Sequence, residues 1–146
     1  MRFSMRTKVR FAQVDPAGIV FYPRYFDMLN AAVEDWFEQE LGVDFATLHL
    51  KRRLGVPTVQ LTSDFRAPSR LGDELEVSIE PVKVGRSSCT VRYTIAGCDQ
   101  APRLVADAVL VCMDLDAAQS TPWPPEIRAA MAAGLGAPDD VTSLEG

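Results

Sequence analysis

The chain has 146 residues, of which 47% are hydrophobic and 24% charged, and a formal net charge of -5. That size and balance fit one globular domain with a single buried core. The acidic excess argues against a broad nucleic-acid surface, which needs clustered Lys and Arg to meet phosphates.

The three cysteines, Cys89, Cys98 and Cys112, stand too far apart for zinc-ligand spacing, and an odd number leaves one unpaired in any disulfide scheme. All three fall in or near β-rich runs with no positioned base beside them, so the expectation is buried packing residues in a reducing compartment. The basic N-terminus lacks the apolar stretch of a signal peptide, and no later run approaches membrane-spanning length. A soluble, cytoplasmic protein without metal or cofactor is expected.

From Phe3 to Phe11 apolar and polar residues alternate, the period of a half-buried strand. Pro23 then opens a segment in which Phe26, Leu29, Val33, Trp36, Phe37 and Leu41 recur at helical spacing, with Gly42 as the C-terminal cap. The pattern predicts one long amphipathic helix over 24–41. Asp44 can cap a short helical stretch carrying Phe45, Leu48 and Leu50. Four β-rich runs follow, at 58–66, 74–84, 87–95 and 103–115, with a tight hairpin at Val84-Gly85-Arg86-Ser87. Pro122, Pro124 and Pro125 lead into a short Ala-rich helix over 126–133 and a fraying polar tail.

No repeat or linker divides the chain, so residues 1–134 read as one domain and 135–146 as a flexible tail. Strand, long helix, then antiparallel strands is an α+β order in which the helix covers one sheet face. The run from Leu104 to Met113 is apolar on both faces, which predicts a central strand and, for the uncovered sheet face, an oligomer.

Asp15 opens the sequence Asp15-Pro16-Ala17-Gly18-Ile19-Val20-Phe21-Tyr22-Pro23. Pro16 restricts Asp15 to an extended backbone, and Gly18 permits a geometry closed to residues with a Cβ. Pro23 at the helix start has no N–H, so the free donors there come from Tyr22, Arg24 and Tyr25. A carboxylate near a helix N-terminus pairs a nucleophile or base with donors able to stabilise an oxyanion. Spacing alone leaves the plainer alternative open, that Asp15 merely caps a turn.

That run, followed by Tyr25 and the helix, resembles the signature of the 4-hydroxybenzoyl-CoA thioesterase family. The similarity continues more loosely through Gly55-Val56-Pro57, Phe65-Arg66-Ala67-Pro68 and Leu71-Gly72-Asp73 to Arg86-Ser87-Ser88. The resemblance implies a hotdog fold, with an antiparallel sheet wrapped around one long central helix, and homodimers or homotetramers with interfacial active sites. It implies an acyl-CoA thioesterase in which Asp15 is the catalytic carboxylate and the backbone N–H of Tyr22 polarises the thioester carbonyl. Gly18, Ile19, Val20, Tyr25, Asn30, Val56, Arg86 and Ser88 are the expected substrate-binding positions. The alternative within the fold is an acyl-CoA-binding protein without turnover.

Three departures from the family pattern bear on the substrate. The basic run that holds CoA phosphates is reduced here to Arg86, although Arg66, Arg70 and the cluster Lys51-Arg52-Arg53 could add charge. Val56 replaces a Thr and Asn30 an Asp, which weakens the case for 4-hydroxybenzoyl-CoA. An aromatic or short-to-medium acyl group is expected instead. His49 has no nucleophile motif nearby, which disfavours a His-dependent dehydratase. Glu34 and Asp35 read as solvated helix residues, and Asp64 as structural, in reach of Arg66.

Overall fold

The computed structural model describes residues 2–136. The tail expected over 135–146 therefore lies outside the described residues from position 137 onward. The first strand, β1 (Phe3–Lys8), turns Phe3 inward, and Val9 follows in the same sense. Alternation does not carry on to Phe11. The chain coils into a 3-10 turn at Phe11–Gln13, and Phe11 is 81% exposed.

The long helix forms as expected in extent, and of the residues expected on its inner face Leu29, Val33, Trp36, Phe37 and Leu41 are buried. In α1 (Pro23–Trp36) the buried residues are Tyr25, Met28, Leu29, Ala32, Val33 and Trp36, recurring at the spacing of one helical stripe. Phe26 is displaced to the edge of that stripe, half-buried. The last turn, Phe37–Leu41, widens to π-helical geometry, which lets the adjacent Trp36 and Phe37 both bury. Gly42 ends it at φ 85°, a left-handed conformation that costs glycine nothing. Asp44 then starts a short second turn that ends in Thr47–Lys51. A hydrogen bond from Thr47 holds the Asp44 carboxyl below the usual carboxylate range. Leu48 from this turn is buried, but Leu50 points into solvent. His49 bonds the Phe45 carbonyl at 2.8 Å and packs on the Phe45 ring, a structural role.

The remaining strands are β2 (Leu54–Gly55), β3 (Thr58–Phe65), β4 (Glu74–Val84), β5 (Ser88–Gly97), β6 (Pro102–Val111), β7 (Met113–Asp114) and β8 (Gln119–Ser120). Four of them join β1 in one antiparallel sheet, in the order β1-β4-β5-β6-β3. The expected strand over 103–115 is broken at Cys112. Its N–H turns to the Ser87 carbonyl, and β7 joins β2 and β8 in a small separate sheet.

Leu75, Val77, Ile79, Val91, Tyr93, Ile95, Leu104 and Leu110 fill the inner face against α1. Each fully buried Val, Leu or Ile there contributes roughly 1.5–3 kcal/mol. The outer face is not uniformly apolar: Arg92 Nε donates to Asp107 at 2.8 Å across the β5–β6 pair. α2 (Pro125–Ala133) closes one end of the core with Ile127 and Met131. Among the described residues no helix is long and apolar enough to cross a membrane. A long helix enclosed by a curved antiparallel sheet is the hotdog architecture.

Candidate active site

The segment from Val14 to Val20 is a tight hairpin whose chemistry is local. Asp15 N–H donates to the Ile19 carbonyl and Gly18 N–H to the Asp15 carbonyl, both at 2.9 Å. Pro16 supplies the fixed φ early in the turn, and Gly18 leaves it at φ 80°, in the left-handed region. The Asp15 carboxylate also serves the turn, its Oδ1 accepting the Ala17 N–H at 2.9 Å. Its Oδ2 accepts no hydrogen bond from a described residue, and Asp15 is only half-buried.

A neighbouring segment fixes the hairpin from the side. Val20 N–H donates to the Ser69 carbonyl and Leu71 N–H to the Gly18 carbonyl, while Ile19 and Arg70 form a β-bridge. Ser69 is fully buried, and its Oγ accepts the Tyr25 hydroxyl at 2.9 Å. The carboxylate loop, the 69–71 segment and the first turn of α1 are thereby joined.

At the helix start the expected donors are reduced to one. Arg24 N–H donates to the Phe21 carbonyl at 2.8 Å, and Tyr25 N–H to the Tyr22 carbonyl at 3.2 Å. The Tyr22 N–H has no partner among the described residues, and Pro23 has no N–H to offer. Tyr22 adjoins a cleft of about 340 Å³ lined by Val20, Tyr22, Tyr25, Phe65, Arg66, Ala67 and Pro68. Phe65, on the edge strand β3, was not a predicted site residue. Its ring lies 6.0 to 6.2 Å from those of Tyr22, Tyr25 and Phe26, and it remains 46% exposed. The signal that could have found it is the aromatic at the end of an edge strand, directly before Arg66-Ala67-Pro68.

A second, smaller space of about 120 Å³ lies between α1 and β3, lined by Phe26, Leu29, Asn30, Thr58, Leu61 and Tyr93. Asn30 is therefore in this pocket rather than in the cleft at Tyr22. Val56 packs half-buried against the core between β2 and β3 and lines neither space. Burial pushes the Tyr93 phenol above its ordinary range, so it is a neutral hydroxyl.

Arg86 and Ser88 sit at the far end of the molecule from Asp15. β4 starts beside the Asp15 loop, where Val9 N–H donates to the Asp73 carbonyl, and ends at the hairpin that carries Arg86. That strand length is about 35 Å, so one chain cannot bring both groups to the same part of a substrate. At the hairpin, Gly85 N–H donates to the Ser88 carbonyl at 2.8 Å, and the C-terminal segment docks on it. Trp123 Nε1 donates to the Ser88 carbonyl at 3.0 Å, and Arg128 Nε to the Gly85 carbonyl at 3.0 Å. Arg128 adds a cation to the hairpin that its position in an Ala-rich helix did not suggest. Of the other expected cations, three are engaged, Arg52 with Glu126, Arg53 with Asp116 and Arg66 with Asp64, while Lys51 and Arg70 form no ion pair with a described residue. Among the described residues no group of three or more His, Cys, Asp and Glu side chains could hold a metal ion. Cys89 and Cys112 are buried as expected, whereas Cys98 is exposed in the β5–β6 turn.

Comparison with known proteins sets this arrangement in a family. Residues 9–131 match the thioesterase-like superfamily. A 1,4-dihydroxy-2-naphthoyl-CoA hydrolase from Acaryochloris marina is 29% identical over 82% of this chain and 88% of its own length. One from Thermosynechococcus vestitus is 30% identical over 83% of this chain and 82% of its own. Among solved structures, the 1,4-dihydroxy-2-naphthoyl-CoA thioesterase from Synechocystis superimposes with a TM-score of 0.82 at 23% identity, over 90% of this chain and 96% of that one. A 4-hydroxybenzoyl-CoA thioesterase variant in complex with 4-hydroxybenzoyl-CoA gives 0.81 at 22% identity, over 89% and 98%. The chain belongs to the thioesterase-like superfamily and is a thioester hydrolase of the hotdog fold.

Proposed function

We propose that this enzyme hydrolyses an aromatic or short-to-medium acyl-CoA, and that its machinery is of the 4-hydroxybenzoyl-CoA thioesterase type, with Asp15 and the Tyr22 N–H at its centre. The observation that carries this reading is the pairing of one unpartnered helix-start donor with a carboxylate anchored through a single oxygen. The thioester carbonyl lies at the Tyr22 N–H, where the donor and the positive end of the α1 dipole meet the charge that develops on oxygen. The free Oδ2 of Asp15 attacks the acyl carbon or takes a proton from the attacking water. Gly18, Ile19 and Val20 shape the loop around the reacting group, and Tyr25 holds the loop to the helix.

The cleft beside Tyr22 is lined by Phe65 and Tyr25, whose ring faces suit a flat acyl group. The relatives named for 1,4-dihydroxy-2-naphthoyl-CoA make a hydroxylated bicyclic acyl group the first candidate. The CoA phosphates belong at the Arg86 hairpin, with Ser88 beneath it and Arg128 as a second cation. Because that hairpin and Asp15 lie at opposite ends of β4, the two halves of one site come from two copies of the chain. β3 is an edge strand with Val59 and Leu61 exposed, which gives a second copy a face to pair with.

Release of free thiol from aromatic, phenylacetyl, short-chain and long-chain acyl-CoAs tests the activity. Turnover abolished by Asp15→Ala is expected; binding of every thioester with no thiol released would leave a non-hydrolytic acyl-CoA binder. Single turnover in labelled water separates the two chemistries, since covalent attack deposits label in the Asp15 carboxylate. Mixing Asp15→Asn with Arg86→Ala protomers tests the shared site. Recovery of activity in the mixed dimers is expected, and recovery absent under subunit exchange would sink the two-copy arrangement.

A further inference from the structure

Trp36, at the C-terminal end of α1, is 3% exposed, yet its indole N–H makes no hydrogen bond to any described residue. The other tryptophan of the chain, Trp123, gives its N–H to the Ser88 carbonyl, as a buried indole ordinarily does. Among the described residues the one sealed and unpartnered side-chain polar atom is Arg103 Nε, so the Trp36 nitrogen is unpartnered without being sealed. It opens on a pocket of about 320 Å³ between the start of β1, the end of α1 and α2.

Phe3 and Trp36 make the inner walls of this pocket, and Ala130 and Ala133 of α2 leave its third side wide by their small size. At the rim stand Arg2 and Glu40, both exposed and neither in an ion pair with a described residue. Glu40 follows Trp36 by about one helical turn and borders the same space. The volume reaches the range of small-molecule sites, roughly 300–1,000 Å³. This space shares no lining residue with the cleft at Tyr22 or with the pocket at Asn30. About 20 Å of α1 separate Trp36 from Tyr22.

The lining sets the chemistry of a guest. An indole N–H can only donate, so the guest must bring an acceptor. A lone water needs two or more polar partners, and the Phe3, Ala130 and Ala133 side chains supply none. An anion there would meet Glu40 and a cation Arg2, and either would lose hydration against Phe3 and Trp36. A carboxamide carries no charge, accepts through its carbonyl at Trp36 and donates through its N–H toward Glu40. We propose that this pocket is a second ligand site, for a small carboxamide with a compact apolar body held between Phe3 and α2. It lies at the opposite end of α1 from Tyr22, so its guest and a thioester bind together.

Nuclear magnetic resonance of the ¹⁵N-labelled protein gives one indole N–H signal for each of the two tryptophans, and Trp36→Phe identifies that of Trp36. Benzamide, benzoate and benzylamine share a ring and differ in the charge of the head group. Benzamide is expected to shift the Trp36 signal saturably and to leave that of Trp123, already bonded to Ser88, in place. Its dissociation constant should be at least about ten-fold below those of benzoate and benzylamine. Ala133→Leu fills the pocket from an exposed helix position without touching the core. It should abolish the shift at an unchanged thermal midpoint. A Trp36 signal that none of the three probes moves, equal affinity for all three, or benzamide binding undiminished in Ala133→Leu overturns the proposal.

Discussion

Asp15 and Ala17 are joined by a hydrogen bond of 2.9 Å in which the carboxylate accepts the backbone N–H two residues on. The bond needs an acceptor but no charge, so the turn and the chemistry separate by substitution. Asp15→Asn keeps the acceptor and is expected to lower kcat by at least about 100-fold, with its thermal midpoint within about 2 °C of wild type. Asp15→Ala loses both and should also be destabilised by about 0.5–1.5 kcal/mol. Thiol-release kinetics beside thermal melts read the two effects; full turnover in Asp15→Asn would remove Asp15 from the mechanism.

Gly18 has φ 80°, and a Cβ built there would meet nothing within 4 Å. The cost of Gly18→Ala is therefore backbone strain alone, about 1–2 kcal/mol, with no clash to relieve. Gly18→Asn should be milder, because Asn visits that conformation more readily. Urea unfolding gives the order, and equal stability of wild type and Gly18→Ala would contradict the turn geometry.

Tyr25 and Ser69 share a buried hydrogen bond, so each single removal strands the other hydroxyl. Tyr25→Phe and Ser69→Ala should each cost about 1–3 kcal/mol. The double variant should lose less than their sum. A strictly additive double variant in urea unfolding would show the two groups to be independent.

Phe65 presents its ring to the cleft from an edge strand. Phe65→Ala removes a stacking face next to Tyr22 and is expected to raise KM for aromatic acyl-CoAs by about ten-fold, with less effect on short-chain thioesters. An identical change for both classes would assign Phe65 to the architecture of the cleft rather than to the acyl ring.

Burial pushes the Cys89 thiol up to about 12 and the Cys112 thiol up to about 11. Unfolded thiols ionise near pH 8.5, so the unfolded state gives up these protons first as pH rises. The stabilisation is whole below that value and is lost on the way to pH 11 or 12. Urea midpoints should fall across this range, and less steeply in Cys89→Ala relative to its own neutral-pH value. In the native protein at pH 8, exposed Cys98 alone should alkylate quickly.

The parts of this molecule that were legible in the sequence are those whose cause is local. Asp15, Pro16 and Gly18 define their turn by their own backbone preferences, and Gly42 ends its helix for the same reason. The long helix was legible in extent and, beyond its first turn, in the face it turns inward. The apolar pattern points to Phe26, yet Tyr25 and Met28 go inward, because Ser69 holds the Tyr25 hydroxyl and Phe65 meets Phe26 at the rim. Both partners come from distant sequence. The break at Cys112 was likewise hidden, since it depends on Ser87 and on the return of Thr121, whose N–H donates to the Cys112 carbonyl. Tyr93 reads in sequence as one more inward strand residue; only the order β5-β6-β3 and the placement of α1 set it opposite Asn30 and Thr58. The docking of Trp123 and Arg128 on the hairpin follows proline-rich sequence with no period to read.

Trp36 and Trp123 flank the same ring, with centroids 5.7 and 6.5 Å from that of Phe37, and both are buried. They are the two tryptophans of the chain, one on the central helix and one on the segment strapped across the hairpin. Neither lines the cleft or the Tyr93 pocket. Intrinsic fluorescence is thus a built-in gauge of whether the C-terminal strap is seated on the core. An emission shift that precedes the loss of helical circular dichroism would register the strap lifting while the rest of the fold still stands.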